Sequence, residues 1–326
     1  MKKHTLVLLF GVVMLAVIAA PAQSFGAPLD RAALLKLADD YFTALVAHNP
    51  KAVPLANDVK MVENVKRIQP GEGLWKTASS LPNADFKIVI PDTVSQQVGG
   101  LVILGIGGKP AQLGFRLKVE NDRITETEHM IVDISNPNNP MLQSVRPAIM
   151  LEVPYEYRDS RGRLIWIAKS YYDALDLNNG SLAPFASDCE RRENGMRTAP
   201  FGGPSLGGVG IPGAKAKTAP SLLGMQDCAA QLNTGTFQYI DTIDHRRVLV
   251  ADELTGLAMG FSHFRHSMKQ KVFTILNIPG DEKRDMSNQN PFDMPALHIY
   301  KIWGGKIHEI EAIGILTDYN VPTGWE

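Results

Sequence analysis

Cysteine is nearly absent: the 326 residues carry two, Cys189 and Cys228. Neither CxxC nor HxxxH spacing accompanies them, which sets metal binding by the pair below a simple disulfide. An excess of one charge is lacking too. The chain holds 33 basic and 34 acidic residues, for a formal net charge of -1, so it has no basic footprint for nucleic acid. No Walker loop occurs. The one dense glycine run, Gly202 to Gly213, does not lie between a strand and a helix as a dinucleotide loop or a nucleophile elbow requires. No histidine–carboxylate cluster has metal-ligand spacing, and neither a metal nor a cofactor is expected.

A long apolar run is present at one place. Lys2 and Lys3 precede the uncharged stretch Leu6 to Ala20, and Ala20-Pro21-Ala22 supplies small residues for cleavage, as in a secretory signal peptide over residues 1–24. The run falls short of the roughly 20 residues a membrane span needs. No cysteine follows it, which argues against a lipoprotein. Residues 1–24 therefore predict a periplasmic or secreted chain with no stable membrane insertion after cleavage. In such an oxidising compartment, an even pair of cysteines reads most simply as one disulfide, Cys189 to Cys228. Closing that loop contributes about 4 kcal/mol in the loop-entropy account.

The length suggests about two domains, and an internal repeat supports this. LLKLADDYFTALVAHNPKAVPLANDVKMVEN (Leu34 to Asn64) aligns without a gap on LIWIAKSYYDALDLNNGSLAPFASDCERREN (Leu164 to Asn194), at an offset of 130. Tyr41/Tyr171, Leu45/Leu175, Asp58/Asp188, Glu63/Glu193 and Asn64/Asn194 are among the identical pairs. RITETEHMIV from Arg123 lies over KIHEIEAIGI from Lys306 at an offset of 183, and GLVI from Gly100 over GLAM from Gly256 at 156. The second copy thus carries two insertions. One is the Gly/Pro-rich GMRTAPFGGPSLGGVGIPGAKAKTAP; the other lies within SMKQKVFTILNIPGDEKRDMSNQNPFDMP. Segments of this length act as lids or binding loops, or are tolerated surface decoration.

Each copy opens with an amphipathic helix, marked in the second by Leu164, Ile167, Ala168, Tyr171 and Leu175. A helical turn near Ser181 to Phe185, a strand through Cys189 to Asn194, and a helix near Ser221 to Leu232 follow. Two hairpins close the copy, HRRVLVAD with GLAMGFSHFRH, and HIYKIWGGKIHEIEAIGI turning at Gly304-Gly305. Helices first and sheet afterwards indicate the α+β class.

Helix, loop, "FAxD", an acid five residues later and a closing "GKIxEIEA" strand resemble the nuclear transport factor 2-like superfamily. Within it the likeness is to SnoaL-like domains and ketosteroid isomerase. The resemblance implies two fused cone-shaped domains, each a curved antiparallel sheet wrapped around its N-terminal helices, and packed sheet to sheet. The division is a first domain over 28–135, a linker over 136–159 and a second domain over 160–320. A homodimer is compatible with it. The isomerase pattern carries its catalytic tyrosine onto Tyr171, in the Tyr171-Tyr172-Asp173-Ala174-Leu175 stretch, and its general base onto Glu193. Leu297 stands where the isomerase has a neutral aspartic acid, so the second oxyanion donor is missing.

A carboxylate and a phenol across an apolar cone suit proton transfer. The first takes a proton next to a carbonyl, and the second donates to the developing enolate. Core and backbone-binding roles remain open for both residues, because Tyr41 and Glu63 share their positions. Lys60-Met61-Val62 becomes Glu190-Arg191-Arg192 in the second copy, and Arg191 shares a strand face with Glu193. Arg191 is thus placed either to hold Glu193 ionised or to bind an anionic substrate group. Counting along the hairpin puts Arg246, Asp252 and His263 on the apolar face of Val248, Val250, Leu257, Met259 and Phe261. His263, whose first-copy counterpart is Gly107 at the 156 offset, is the preferred histidine. His266 falls on the opposite face, and His298 is offset from the inward Leu297 and Ile299.

The expectation is an exported, cofactor-independent lyase or isomerase working by dehydration, retro-aldol cleavage or enolisation. Its substrate is a small, partly apolar carbonyl or hydroxy compound. Glu193, Tyr171 and His263 would be catalytic, with Arg191, Arg246, Asp252 and Tyr172 binding substrate. The alternatives are a non-catalytic periplasmic module that binds a small ligand or a partner, and a purely structural envelope protein.

Overall fold

The structure, a computed structural model, describes residues 27–200, 223, 225–280 and 282–326. The leader and most of the Gly/Pro-rich insertion lie outside these residues. In the first copy, α1 (Arg31–Val46) starts at Asp30, whose carboxylate accepts from the Ala33 N–H at 2.8 Å. It buries Leu34, Ala38, Tyr41, Phe42 and Leu45, the stripe that its apolar spacing predicts. There follow β1 (Leu55–Glu63), β2 (Lys66–Ile68), a short α2 (Leu74–Thr77), β3 (Lys87–Asp92), β4 (Gln97–Ile106), β5 (Lys109–Glu120) and β6 (Arg123–Asp133).

After the connecting segment, α3 (Arg161–Asp176) repeats the pattern, with Ser160 as its cap and Leu164, Ile167, Ala168, Tyr171, Tyr172 and Leu175 buried. Then come β7 (Phe185–Glu193), β8 (Met196–Ala199), α4 (Cys228–Asn233), β9 (Thr242–Asp252) and β10 (Leu257–His266). The second insertion contains a small hairpin of β11 (Val272–Thr274) and β12 (Lys283–Asp285), closed by Met268, Phe273 and Met286. The chain ends with β13 (Phe292–Trp303), β14 (Lys306–Gly314) and β15 (Thr317–Asp318). Gly304 and Gly305, at φ 57° and 74°, make the β13–β14 turn, a backbone that glycine adopts without a Cβ clash.

The fold is α+β, with two mixed sheets each preceded by a helix, in strand orders β2-β1-β6-β5-β4-β3 and β8-β7-β14-β13-β10-β9. Each sheet departs from the antiparallel expectation at one ladder, since β1 runs parallel to β6 and β7 parallel to β14. The return through a long crossover permits it. Glu63 stands opposite His129, and Glu193 opposite Ala312, which matches the 130 and 183 offsets of the repeat.

The middle offset needs correction. Leu101 pairs with Gly114, and Phe261 with Leu297. Because Gly114 corresponds to Leu297, β4 and β10 are related by 160 residues and not 156. The counterpart of His263 is therefore Ile103, not Gly107.

The sheets pack face to face. Phe86, Ile88, Leu101 and Met130 of the first meet Leu257, Met259, Phe261 and Leu297 of the second in one apolar layer. Gly99 and Gly114 make this approach possible, because a Cβ on them would sit 2.3 Å from Met259 and 2.7 Å from Leu297. Arg161 to Asp92 (2.9 Å) and Arg247 to Glu128 (2.5 Å) pair charges across the same junction.

Candidate functional site

The second copy keeps a cavity of about 70 Å3 between α3 and its sheet. One water needs roughly 10–15 Å3 on such a measure, so the space suits a small molecule. Leu175, Phe237, Ile240, Phe264 and Met294 give it apolar walls, and Tyr171, Glu193, His266 and His298 bring the chemistry. Tyr171 and Glu193, picked from sequence, line one cavity.

Tyr171 is fully buried, and its hydroxyl makes no hydrogen bond of good geometry, although the Arg191 guanidinium is close. Burial pushes this phenol well above its ordinary value, against the lowering influence of Arg191. It stays protonated and available as a donor. Its ring lies 5.4 Å from both His298 and Tyr300. Glu193, with a side chain 26% exposed, ends β7 and accepts from Arg191 Nε at 2.9 Å. Arg191 is fully buried, as its place beside Glu193 on one strand face requires. Its guanidinium also donates to Thr198 Oγ1 at 2.9 Å and to Gln231 Oε1, and lies over the Phe237 ring. Its Nη1 is left without a partner. The Cys189–Cys228 disulfide ties α4, and with it Gln231, to β7.

The histidines change places. His263 lies on the face of β10 that packs against the first copy, in a small separate cavity with His129, His245 and Arg247. Burial, aided by Arg265, lowers it to about 4. Counting along the pleat misleads for two reasons. Both faces of β10 are apolar, and a bulge slips β9 by one residue, so that Val250 opposes Met259 while Val248 opposes Gly260. The face turned to the α3 side carries Phe264 and His266.

Three other expected ligand-binding residues lie outside the cavity lining. Arg246 reaches α3, pairing with Asp173 at 2.5 Å and Asp176 at 2.6 Å. Asp252 closes the β9–β10 turn through Thr255 and pairs with Arg31 of the first copy at 2.6 Å. Tyr172 is buried behind Tyr171, beside Tyr300 and Ser262, and burial raises it to about 12.

The side chain missed by sequence reasoning is His298. It is buried between Phe264 and Tyr300, stacked on both, and its Nδ1 has no partner. Burial, with Arg191 nearby, lowers it to about 3, so it is a neutral imidazole. Its first-copy counterpart at the 183 offset is Phe115. A polar ring replacing a core phenylalanine was the signal available. Leu297 packs into the layer between the sheets, so the residue beside Tyr171 on β13 is His298. His266, also lowered to about 4 by burial, stacks on Phe292 at 4.1 Å.

The same positions in the first copy are closed. Tyr41 Oη lies 3.0 Å from His129 Nε2, and His129 Nδ1 lies 3.2 Å from Glu63 Oε2. Trp75 of α2 packs edge-on against Tyr41 at 5.3 Å. Burial works to raise the Glu63 carboxyl. The His129 hydrogen bond and charge, with the Leu74 N–H, outweigh it and hold the group below its ordinary value.

Among the described residues no group of histidine, cysteine and carboxylate side chains could hold a metal ion. The family described as a domain of unknown function, DUF8021, matches residues 27–131 and 157–314. No curated protein matches the chain. Among solved structures, a nuclear transport factor 2-like protein from Burkholderia thailandensis is 13% identical, at a TM-score of 0.26, covering 46% of this chain and 89% of its own. AusH from Aspergillus nidulans is 11% identical, at 0.27, covering 48% and 85%.

Proposed function

Since the chain belongs to the family of the domain of unknown function DUF8021, a two-cone architecture with one cone closed, we propose that its second copy is a cofactor-independent lyase or isomerase. The substrate is a small, partly apolar carbonyl or β-hydroxy carbonyl compound. One observation carries this reading: Tyr171, Glu193 and His298 line a single apolar cavity, and Tyr171 Oη, close to the Arg191 guanidinium, and His298 Nδ1 are buried without a well-formed hydrogen bond. Buried polar atoms seldom go unpaired, and a ligand oxygen between them would satisfy both.

In this mechanism Glu193 removes the proton from the carbon beside the carbonyl. Tyr171 donates to the carbonyl oxygen as it gains negative charge, and His298, kept neutral, supplies a second hydrogen bond. The enolate then takes the proton back at a different carbon, or expels a β-hydroxide as water. Arg191 positions Glu193 through their ion pair. Export to an oxidising compartment belongs to the same proposal, supported by the disulfide and the leader pattern. Among the described residues no helix is long and apolar enough to cross a membrane.

The test is exchange of α-protons for deuterium, followed by NMR over a panel of enolisable and β-hydroxy carbonyls. The native chain is expected to accelerate exchange or elimination for at least one. Glu193→Gln should reduce the rate by about 10²–10⁴ and Tyr171→Phe by about 10²–10³. Glu63→Gln in the first copy should leave it within about twofold. A ligand bound with equal affinity by native protein and both variants, with no turnover, would replace the enzyme by a binding module.

A further inference from the structure

Phe292 and Leu316 at the edge of the cavity also line a second, wider groove of about 850 Å3. One of its walls is Glu63, Asn64, Val65 and Lys66 of the first copy. The other comes from Asn288 to Phe292 and Ile315 to Asp318 of the second. The groove therefore needs both copies, while the cavity needs one. Its chemistry differs as well. Beside apolar side chains such as Ile68, Ile315 and Leu316, the groove presents the amides of Asn288 and Asn290, while the Asn64 amide is held by the Ile131 backbone. Charge is sparse and of both signs, with Lys66 against Glu63 and Asp318. Asn288 and Asn290 are exposed, and neither side chain hydrogen-bonds to another of the described residues.

A carboxamide offers a donor and an acceptor side by side, which suits adjacent hydroxyl groups. A tail of one charge would meet a like charge on one of the walls. We propose that the groove is a second subsite, which takes a neutral, multiply hydroxylated tail of glycosyl type. The small apolar head of the same ligand would sit in the cavity. The inference rests on the reading of the cavity as a ligand site. It adds a reason for the tandem arrangement: the closed copy contributes a wall.

Calorimetry on the mature, full chain tests it with three probes: benzyl alcohol, benzyl β-glucoside and N-acetyl-phenylalanyl-glycinamide. The glucoside is expected to bind about tenfold more tightly than benzyl alcohol, as one or two added hydrogen bonds would give. The Asn288→Ala/Asn290→Ala double variant should abolish that gain and leave benzyl alcohol unchanged. Equal affinity for alcohol and glucoside, or a gain that survives the double variant, overturns the groove alone. An equal gain for the peptide probe overturns the hydroxylated class. Failure of benzyl alcohol to bind at all overturns the cavity reading, and the groove with it.

Discussion

Tyr41 and Glu63 in the first copy stand where Tyr171 and Glu193 stand in the second, at the same strand register, yet their surroundings differ. In the first, His129 bridges the pair through two contacts, at 3.0 and 3.2 Å, and Trp75 packs over the tyrosine. In the second, Ala312 takes the place of His129, and the bridge is gone. Arg191 comes in from the side to pair with Glu193 and lies close to the tyrosine hydroxyl, and both Tyr171 and Glu193 line a cavity. The shared residues are thus compatible with two roles. A tyrosine and an acid can complete a core when a histidine links them, and can work on a ligand when that link is withdrawn. Residue identity says little here; the third group decides.

Only the second copy has a disulfide, since Val59 corresponds to Cys189. Cys189–Cys228 closes a loop of 39 residues and fastens the helix whose Gln231 holds Arg191. Its loss, through Cys189→Ser/Cys228→Ser, is expected to lower stability by about 4 kcal/mol in the loop-entropy account. The second copy should melt earlier than the first, and ligand affinity should fall with it. Calorimetric melting with and without the two cysteines checks this. A melt that shifts as one unit by less than 1 °C would mean that the disulfide is not what holds α4.

Acid should also act unequally on the two copies. His298 replaces Phe115 in the core of the second copy, and its folded value of about 3 lies below the ordinary 6.5. A histidine kept neutral by folding stabilises the native state fully above about pH 6.5. That contribution is lost as the pH falls from there toward 3, by up to about 1.4 kcal/mol per unit for this one group. His266 acts in the same direction from about 4 upward. The second copy is therefore expected to weaken between pH 6 and 4. His298→Phe, the residue found in the first copy, should flatten that limb. Chemical denaturation at pH 7, 5.5 and 4.5 measures it, and an unchanged slope would show that His298 is not held neutral.

Much of this layout was legible in the sequence. The ungapped alignment of Leu34–Asn64 on Leu164–Asn194 reveals two copies, and the helix stripe places Tyr171 inward because a 3.6-residue period has one apolar face. Tyr171 and Glu193 follow from the same alignment. The strands were harder to read. β10 and β13 are buried along nearly their whole length, with the α3 side on one face and the other sheet on the second. Alternation then carries no sign of which face is which. The bulge at Val248–Val250 turns Arg246 and Val248 to the α3 side, away from Val250 and Asp252. His263 does share a face with Leu257, Met259 and Phe261, but that face packs on the first copy and is not the cavity side. His298 needed the partner offset of 183, at which Phe115 marks the position as core.

The smallest expected effect is the most direct reading of the difference between the copies. Removing the Tyr41 hydroxyl takes a partner from His129, which is buried and then has one ring nitrogen unpaired. An unpaired buried polar group costs about 1–3 kcal/mol. Tyr41→Phe should therefore destabilise the chain by that amount, although it removes only one oxygen. Tyr171→Phe removes an oxygen that has no well-formed hydrogen bond, so its buried desolvation penalty disappears at little loss. Its stability should stay within about 0.5 kcal/mol of the native chain or rise slightly. Urea unfolding of the two variants gives both numbers. Equal destabilisation would mean that the Tyr171 hydroxyl is as firmly held as that of Tyr41, and the second copy would then be a core like the first.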